Sequence, residues 1–312
     1  MKIGNTEITG VYKGSTPITS LYKGDTLYWG KKDINPNLQF LVKPVNSRVV
    51  LPISGWYNRT SQVTSSIEID WGDGETSSFT TRVSSAQWNI HFPNHNYTDT
   101  NKDYIVTVTS NRPFGAISYA SPGNTVSATS AMQQSLISIL NWGTTDIYGV
   151  YLPTTCTNLT SVAKDPVGVL KIQDSGLVEV YNSLQGALES IDLSLFKNVT
   201  STEMVRLGNP ALTTVTGVFP EDGSKQFVET FYQATSLQSV PYNIFPKSAN
   251  VFIRCFQYSG LTETAKDNID GVVSELWERV GKEGYPSRIN AASCYDHTNI
   301  PDLQSSVPSD WR

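Results

Sequence analysis

Between residues 3 and 29 apolar and polar positions alternate over short distances, with Ile8, Val11, Ile18, Leu21 and Leu27 in the apolar phase and Gly14 and Gly24 interrupting it. A period of two is the signature of a strand that presents one side to a core, and glycine supplies the tight turns between such strands. The segment therefore predicts short strands joined by tight loops. The pattern is also repeated in wording: TEITGVYKGS at 6–15 is followed at once by TPITSLYKGD, and a truncated third copy, TLYWG, comes next. So few apolar residues do not stabilise so small a sheet by themselves. The stretch is expected to pack against copies of itself or a partner surface through Ile8, Val11, Tyr12, Ile18, Leu21, Tyr22, Tyr28 and Trp29. KKDINPN then reads as a linker, because Pro36 and its polar neighbours offer no face to bury.

From Gln39 the strands lengthen: LQFLVKPV, RVVLPIS, SSIEIDW and DYIVTVTS, the last with Tyr104, Val106 and Val108 alternating with polar neighbours. Asp73-Gly74, inside IDWGDGE, is a strong turn signal, and Trp71 is expected to point inward. The string IEIDWGDGE at 67–75, followed by HNYTDTNKDYIVTVT at 95–109, resembles a PKD domain, an immunoglobulin-like β-sandwich. The resemblance covers residues 38–112, within a domain drawn at 36–115. It implies a structural role for Trp71, Gly72, Asp73, Gly74, His95 and Tyr97, and for the domain that of a spacer or adhesive module.

After the Ser/Gly/Pro-rich bridge ASPGNTVSAT a short phrase recurs: SLISI at 135, NLTSV at 158, GLVEV at 176, ALESI at 187, ALTTV at 211, SLQSV at 236 and GLTET at 260. From Leu188 the leading leucines fall at 188, 212, 237 and 261, steps of 24, 25 and 24. A sustained period in the twenties predicts a leucine-rich solenoid, in which each repeat hides its apolar face only by stacking on the next. The wording TFYQATSLQSVPYNIFPKSANVFIRCFQYSGLTE resembles the BspA-like leucine-rich repeats, with Phe231, Leu237, Val240, Phe245, Cys255, Phe256 and Leu261 at the family positions. Leu188, Leu212, Phe231, Leu237, Phe245, Phe256 and Leu261 are thus the candidate repeat core. KDNIDGVVSELWERVGKEG carries Ile269, Val272, Val273, Leu276, Trp277 and Val280 at helical steps, and with the tail it is expected to cap the last repeat. The fold class is mainly β: a short β-repeat at 1–35, a PKD-like sandwich at 36–115, and a leucine-rich-repeat solenoid with a capping helix at 116–312.

Composition narrows the function. At 312 residues the chain is long enough for more than one folding unit. Charged residues make up 16%, well under the roughly 25% of an average soluble protein, which suits a β-rich structural or adhesive surface. The net charge of −5 is distributed as +2 over 1–35, zero over 36–129 and −7 over 130–312, so nothing invites nucleic acid. Cys156, Cys255 and Cys294 form no C-x-x-C pair and read as small buried residues. MKIGNTEITG has no apolar core of an export signal, and no run approaches the ~18 apolar residues of a membrane span. The expectation is synthesis in a cytosol, without export by the usual route and without a membrane span.

No catalytic constellation stands out. His91 and His95 are four apart, but Pro93 and strand-like alternation keep them off a shared helical face, so no zinc site is expected. Asp70, Asp73 and Glu75 are read either as turn caps or as carboxylates for calcium at a strand end; they do not fit an EF-hand loop. Cys294 and His297 lie close in SCYDHT, yet the signatures around a catalytic cysteine are missing, as are G-x-S-x-G, the P-loop and G-x-G-x-x-G. No enzyme activity and no cofactor are therefore expected. Tyr and Trp number 22 together, and in a low-charge Ser/Thr/Asn-rich chain they serve as core residues or as contact surface for glycans and proteins.

The decads ending in YKGDTLYWG are similar to N-terminal segments of structural proteins of tailed bacteriophages with Bacteroides-like gut hosts. That resemblance implies a virion protein made in the host bacterial cytoplasm: a head or tail fibre or appendage subunit. It would attach to capsid or tail proteins through its N-terminus, form homo-oligomers, and present the C-terminal repeats to a host-surface glycan or protein. A bacterial BspA-like cell-surface adhesin is the alternative, and a glycan-processing enzyme a third class.

Overall fold

The structure, a computed structural model, describes residues 35–54, 63–83, 92–119, 129–165, 167–172, 183–199, 205–221, 226–241, 244–261, 290–296 and 298, and the backbone of six short strands between Lys2 and Gly30. The protein is mainly β; among the described residues the α-helical part is one turn, α1 (Ser130–Gln133). The chain forms two compact units, Met1–Asn35 and Pro36–Arg312, which divide within the KKDINPN stretch.

The first unit consists of three hairpins. β1 (Lys2–Ile3) pairs with β2 (Thr6–Glu7), β3 (Val11–Lys13) with β4 (Thr16–Ile18), and β5 (Ser20–Lys23) with β6 (Thr26–Gly30), all antiparallel. The residues between the paired strands are Gly4-Asn5, Gly14-Ser15 and Gly24-Asp25. Gly followed by Asn, Ser or Asp is a pair that suits a short hairpin connection. The structural unit is out of phase with the repeated wording, since TEITGVYKGS runs from the second strand of one hairpin into the first strand of the next. Among the described residues each hairpin pairs only with itself.

The second unit is built on a six-stranded sheet of β7 (Leu38–Val42), β10 (Val63–Asp70), β11 (Thr76–Val83), β13 (Tyr104–Ser110), β15 (Leu136–Trp142) and β17 (Ser161–Val162). Their spatial order is β11-β10-β13-β7-β15-β17. β8 (Arg48–Val50) pairs with β12 (Asn94–Asn96). A four-stranded sheet runs β18 (Ser183–Leu184), β16 (Val150–Leu152), β14 (Ala116–Ser118), β9 (Ile53–Ser54). The alternation in β7 and β13 puts Leu38, Phe40, Val42, Tyr104, Val106 and Val108 into one core with Ile67, Ile69 and Trp71.

The division expected at 115/116 is not a break in the packing. β7 uses both edges, one for β13 and the other for β15, with Leu136 opposite Val42 and Trp142 opposite Leu38. β14 likewise pairs back to β9. An open edge on β7 would leave buried backbone groups unpaired, and the chain after residue 115 supplies the missing strand.

Beyond β15 the pairing turns parallel and short. Ser138 lies opposite Ser161, Ser183 opposite Arg206, and Gln226 opposite Val251. β19 (Ser190–Asp192) pairs with β20 (Thr214–Thr216) in the same sense. The offsets of these pairs are 23 to 25 residues; Tyr151 opposite Ser183 and Val251 opposite Asn290 span longer insertions. The last three rungs are joined by every second peptide group. The N–H groups of Phe227, Glu229, Phe231 and Gln233 donate to the carbonyls of Val251, Ile253, Cys255 and Gln257 at 2.8–3.0 Å. Those of Phe252, Arg254, Phe256 and Tyr258 donate to Asn290, Ala292, Cys294 and Asp296 at 2.7–3.0 Å. Rings stack in the same sequence: Phe231 on Phe256 at 5.3 Å, Phe256 on Tyr295 at 5.8 Å, and Phe227 on Phe252 at 5.7 Å. Gly208 lies so close to the next rung that a Cβ there would run into the Tyr232 carbonyl. The expected capping helix at 266–284 lies outside the described residues.

Candidate functional site

Two places concentrate side chains of interest: the corner where β10 turns into β11, and the outer row of the parallel rungs.

At the corner Trp71 is buried, and its Nε1–H donates to Ser77 Oγ at 2.6 Å. Gly72 has φ of 78°, and a Cβ there would sit 2.5 Å from the Ile105 carbonyl oxygen, so the position requires glycine. Asp70 Oδ1 accepts from the Gly72 N–H, and Asp73 Oδ1 from the Glu75 N–H, which is the turn-capping use of both carboxylates. His95 on β12 stacks on Trp71 at 5.0 Å, and its Nε2 lies 2.7 Å from Asp73 Oδ2. Tyr97 meets His95 edge-on at 4.6 Å and Tyr104 at 4.1 Å, and its hydroxyl donates to the Trp71 carbonyl at 2.8 Å. Burial raises the Tyr97 phenol well above its ordinary range, so it remains a donor. The structure thus brings Trp71, Gly72, Asp73, His95 and Tyr97 together as a clasp between the β10–β11 turn and β12, while Gly74, with φ of 97°, shapes the turn itself. His91 lies outside the described residues. Among the described residues no group of three or more His, Cys, Asp or Glu is placed to hold a metal ion.

The clasp has a pH signature. Burial by itself raises the Asp73 carboxyl, but the hydrogen bonds from His95 and from the Glu75 amide outweigh it and hold the group below its usual range. A carboxyl with a depressed folded-state pKa contributes stability above its unfolded value of about 3.9 and loses it as pH falls through the folded value. The melting temperature of Asp73→Asn should therefore lie below that of the wild type at neutral pH, and the gap should close as pH drops below about 4. Thermal melts followed by circular dichroism check this; a gap independent of pH would show that the ionised carboxylate is not what matters.

In the first unit the backbone register sets Val11 opposite Ile18, Tyr12 opposite Pro17, Leu21 opposite Trp29 and Tyr22 opposite Leu27. Tyr28 lies in β6, at the register shift between Leu21 and Tyr22 on the facing strand, and Ile8 lies outside the described residues. In the second unit Leu188, Leu212, Phe231, Leu237, Phe245, Phe256 and Leu261 are all buried. Phe245 wedges between rungs, 4.7 Å from Phe227 and 4.9 Å from Phe252. The three cysteines are buried too; burial pushes the Cys156 thiol up to about 12 and raises that of Cys255, which also faces Cys294 on the next rung. Such thiols are poor nucleophiles at neutral pH. His297 lies outside the described residues.

Two sets of residues escaped the reading of the sequence. Asn209 is fully buried; its Oδ1 accepts from the Ala211 N–H at 2.9 Å, and its Nδ2 donates to the carbonyls of Gln185 and Leu188 at 3.1 and 3.2 Å, one repeat earlier. The signal was an asparagine three residues before the repeat leucine Leu212. Glu229, 8% exposed in its side chain, bridges Arg206 Nη2 at 2.9 Å and Arg254 Nη2 at 2.6 Å. Positions 206, 229 and 254 are 23 and 25 residues apart, close to the 24- and 25-residue steps of the leucines, so the periodicity carried them in its polar phase.

Comparison with protein-family models, curated proteins and solved structures finds no match to the chain. No helix among the described residues is long and apolar enough to cross a membrane.

Proposed function

We propose that the protein is a structural, non-enzymatic component of a tailed-phage virion: a head or tail fibre or appendage subunit. It attaches through its N-terminal hairpins to capsid or tail proteins and to copies of itself, and it presents its C-terminal rungs to a host-surface ligand. In this reading the Trp71–His95 clasp belongs to a PKD-like sandwich that acts as spacer, and the parallel rungs belong to a BspA-like leucine-rich solenoid.

The observation that carries the reading is the first unit. Three hairpins, each paired only within itself among the described residues, form a unit separate from the rest of the chain. An isolated two-stranded hairpin is marginal in water, and unpaired strand edges invite pairing with another chain. Identical edges on identical subunits favour closed, symmetric assemblies.

Deleting residues 1–32 is therefore expected to leave a soluble monomer that no longer associates with particles. Light scattering on the purified protein and cosedimentation with virions measure the two effects. Retained oligomerisation and retained binding would overturn the proposal, and cofractionation of the full chain with host envelopes instead of particles would favour the cell-surface adhesin.

A further inference from the structure

Two of the three cysteines meet across neighbouring rungs. Val251 lies opposite Asn290 and the Phe256 ring stacks on that of Tyr295 at 5.8 Å, both pairs 39 residues apart, and Cys255 stands 39 residues before Cys294. Ladder bonds from Arg254 N–H to the Ala292 carbonyl at 3.0 Å and from Phe256 N–H to the Cys294 carbonyl at 2.9 Å carry that register through the pair. The residues just before the two cysteines, Arg254 and Ser293, both have left-handed backbone, with φ of 52° and 50°, so the chain enters both positions in one conformation. Both side chains are fully buried, and the two thiols are hydrogen-bonded to each other.

Packing accounts for a small residue at this place but not for sulfur on two successive rungs. On the preceding rung, where Phe231 stacks on Phe256, the corresponding residue beside Cys255 is Thr230, also fully buried. Adjacent strands lie about 4.8 Å apart, and a disulfide joins Cα atoms about 4.4–6.8 Å apart through Cβ atoms about 3.5–4.5 Å apart. Cysteines in register on neighbouring strands therefore meet the Cα requirement as they stand, and their Cβ atoms have to approach by only a few tenths of an ångström.

The bond needs an oxidant, and a low-molecular-weight disulfide is sufficient. One cysteine gives up its proton and attacks the small disulfide, forming a mixed disulfide and expelling a thiolate that takes the proton. The second cysteine, deprotonated in turn, attacks the protein sulfur of the mixed disulfide; the inter-rung S–S bond forms, and the second small thiol leaves with the second proton. The two cysteines lose two electrons and the small disulfide gains them. Burial slows the first attack, because the rungs have to part before the oxidant reaches a sulfur. It favours the second, because the partner thiol is already in place.

We propose that Cys255 and Cys294 are a redox-closed staple: an inter-rung disulfide forms between them when the protein passes from reducing to oxidising surroundings. The staple is independent of particle attachment and is tested on the purified full chain, reduced and then incubated with oxidised glutathione, with and without sub-denaturing urea. Free thiols counted after unfolding should fall from three to one. An unreduced tryptic digest should contain residues 255–266 linked to residues 289–312. Closure should be slow in buffer and faster in the urea, which opens the rungs more often. A cross-link over that span restricts the unfolded chain, so the melting temperature should rise by about 5 °C or more and return on reduction. Cys294→Ser should keep its remaining thiols unlinked and show no such rise; if that variant melts early, the thiol count and the digest of the wild type decide. Three free thiols after oxidation in urea, glutathione retained on Cys255 or Cys294, or a link through Cys156 would overturn the staple, whereas loss of particle association on deleting residues 1–32 would stand regardless.

Discussion

Replacing Phe256 with alanine is expected to cost about 3–5 kcal/mol of folding stability, the range for emptying a fully buried aromatic site. Phe256 is completely buried, and its ring lies between Phe231 and Tyr295 with Phe245 against its edge at 6.0 Å. Its neighbours are held by ladder hydrogen bonds on both sides, from Phe231 N–H to the Cys255 carbonyl and from Phe256 N–H to the Cys294 carbonyl, so they cannot collapse into the gap. The full transfer and cavity losses should therefore appear. Urea unfolding of wild type and variant measures the difference, and Phe256→Leu, which fills part of the space, should fall between them. A loss under about 1 kcal/mol, that of a surface position, would mean that these rungs do not stack as described.

Asn209→Ala should be nearly as damaging, at about 2–4 kcal/mol, for a different reason. The side chain joins two repeats through carbonyls that are otherwise directed into the core: Gln185 and Leu188 in one, with the Ala211 amide in the other. Truncation removes the Asn209 partner of the Leu188 carbonyl and of the Ala211 amide. It also removes one of two donors to the Gln185 carbonyl, which keeps the Leu188 N–H at 3.3 Å. An unmade buried hydrogen bond costs more than a made one contributes. Asn209→Asp separates this from simple loss of volume. It keeps the acceptor for Ala211 but sets a carboxylate against two carbonyl oxygens, so it should be worse than alanine at neutral pH. Equal stability of Asp and Asn at this position, read from the same urea curves, would contradict the bonding described.

How much of this was legible in the sequence depends on which force writes the pattern. β7, β10 and β13 were legible because each buries one face, and the period of two in residues such as Tyr104, Val106 and Val108 records that burial directly. Leu188, Leu212, Phe231, Leu237, Phe245, Phe256 and Leu261 stood out as recurrent apolar positions, and all of them are buried. Bonds between distant segments leave no such record. The partnership of β7 with β15 joins residues about a hundred positions apart, and nothing in LQFLV says which strand will lie on its second edge. The one- and two-residue parallel pairs are too short to show alternation, and their register is set by the loops around them. In the candidate site the turn wording around Trp71 was legible, as glycine and aspartate have few other uses there. The Arg206–Glu229–Arg254 row was not, because periodic polar residues read as ordinary surface unless the repeat register is already known.

The hydrogen bonds between the rungs run along the direction of stacking, alternate N–H groups of one rung aimed at the rung that follows. Tension applied along that direction loads these bonds one rung at a time, as in an unzipping seam, whereas a sideways load is shared by all bonds of a rung together. The end of the stack is therefore soft to a steady axial pull and stiff to a lateral one, a direction-dependent compliance that follows from the hydrogen-bond pattern alone.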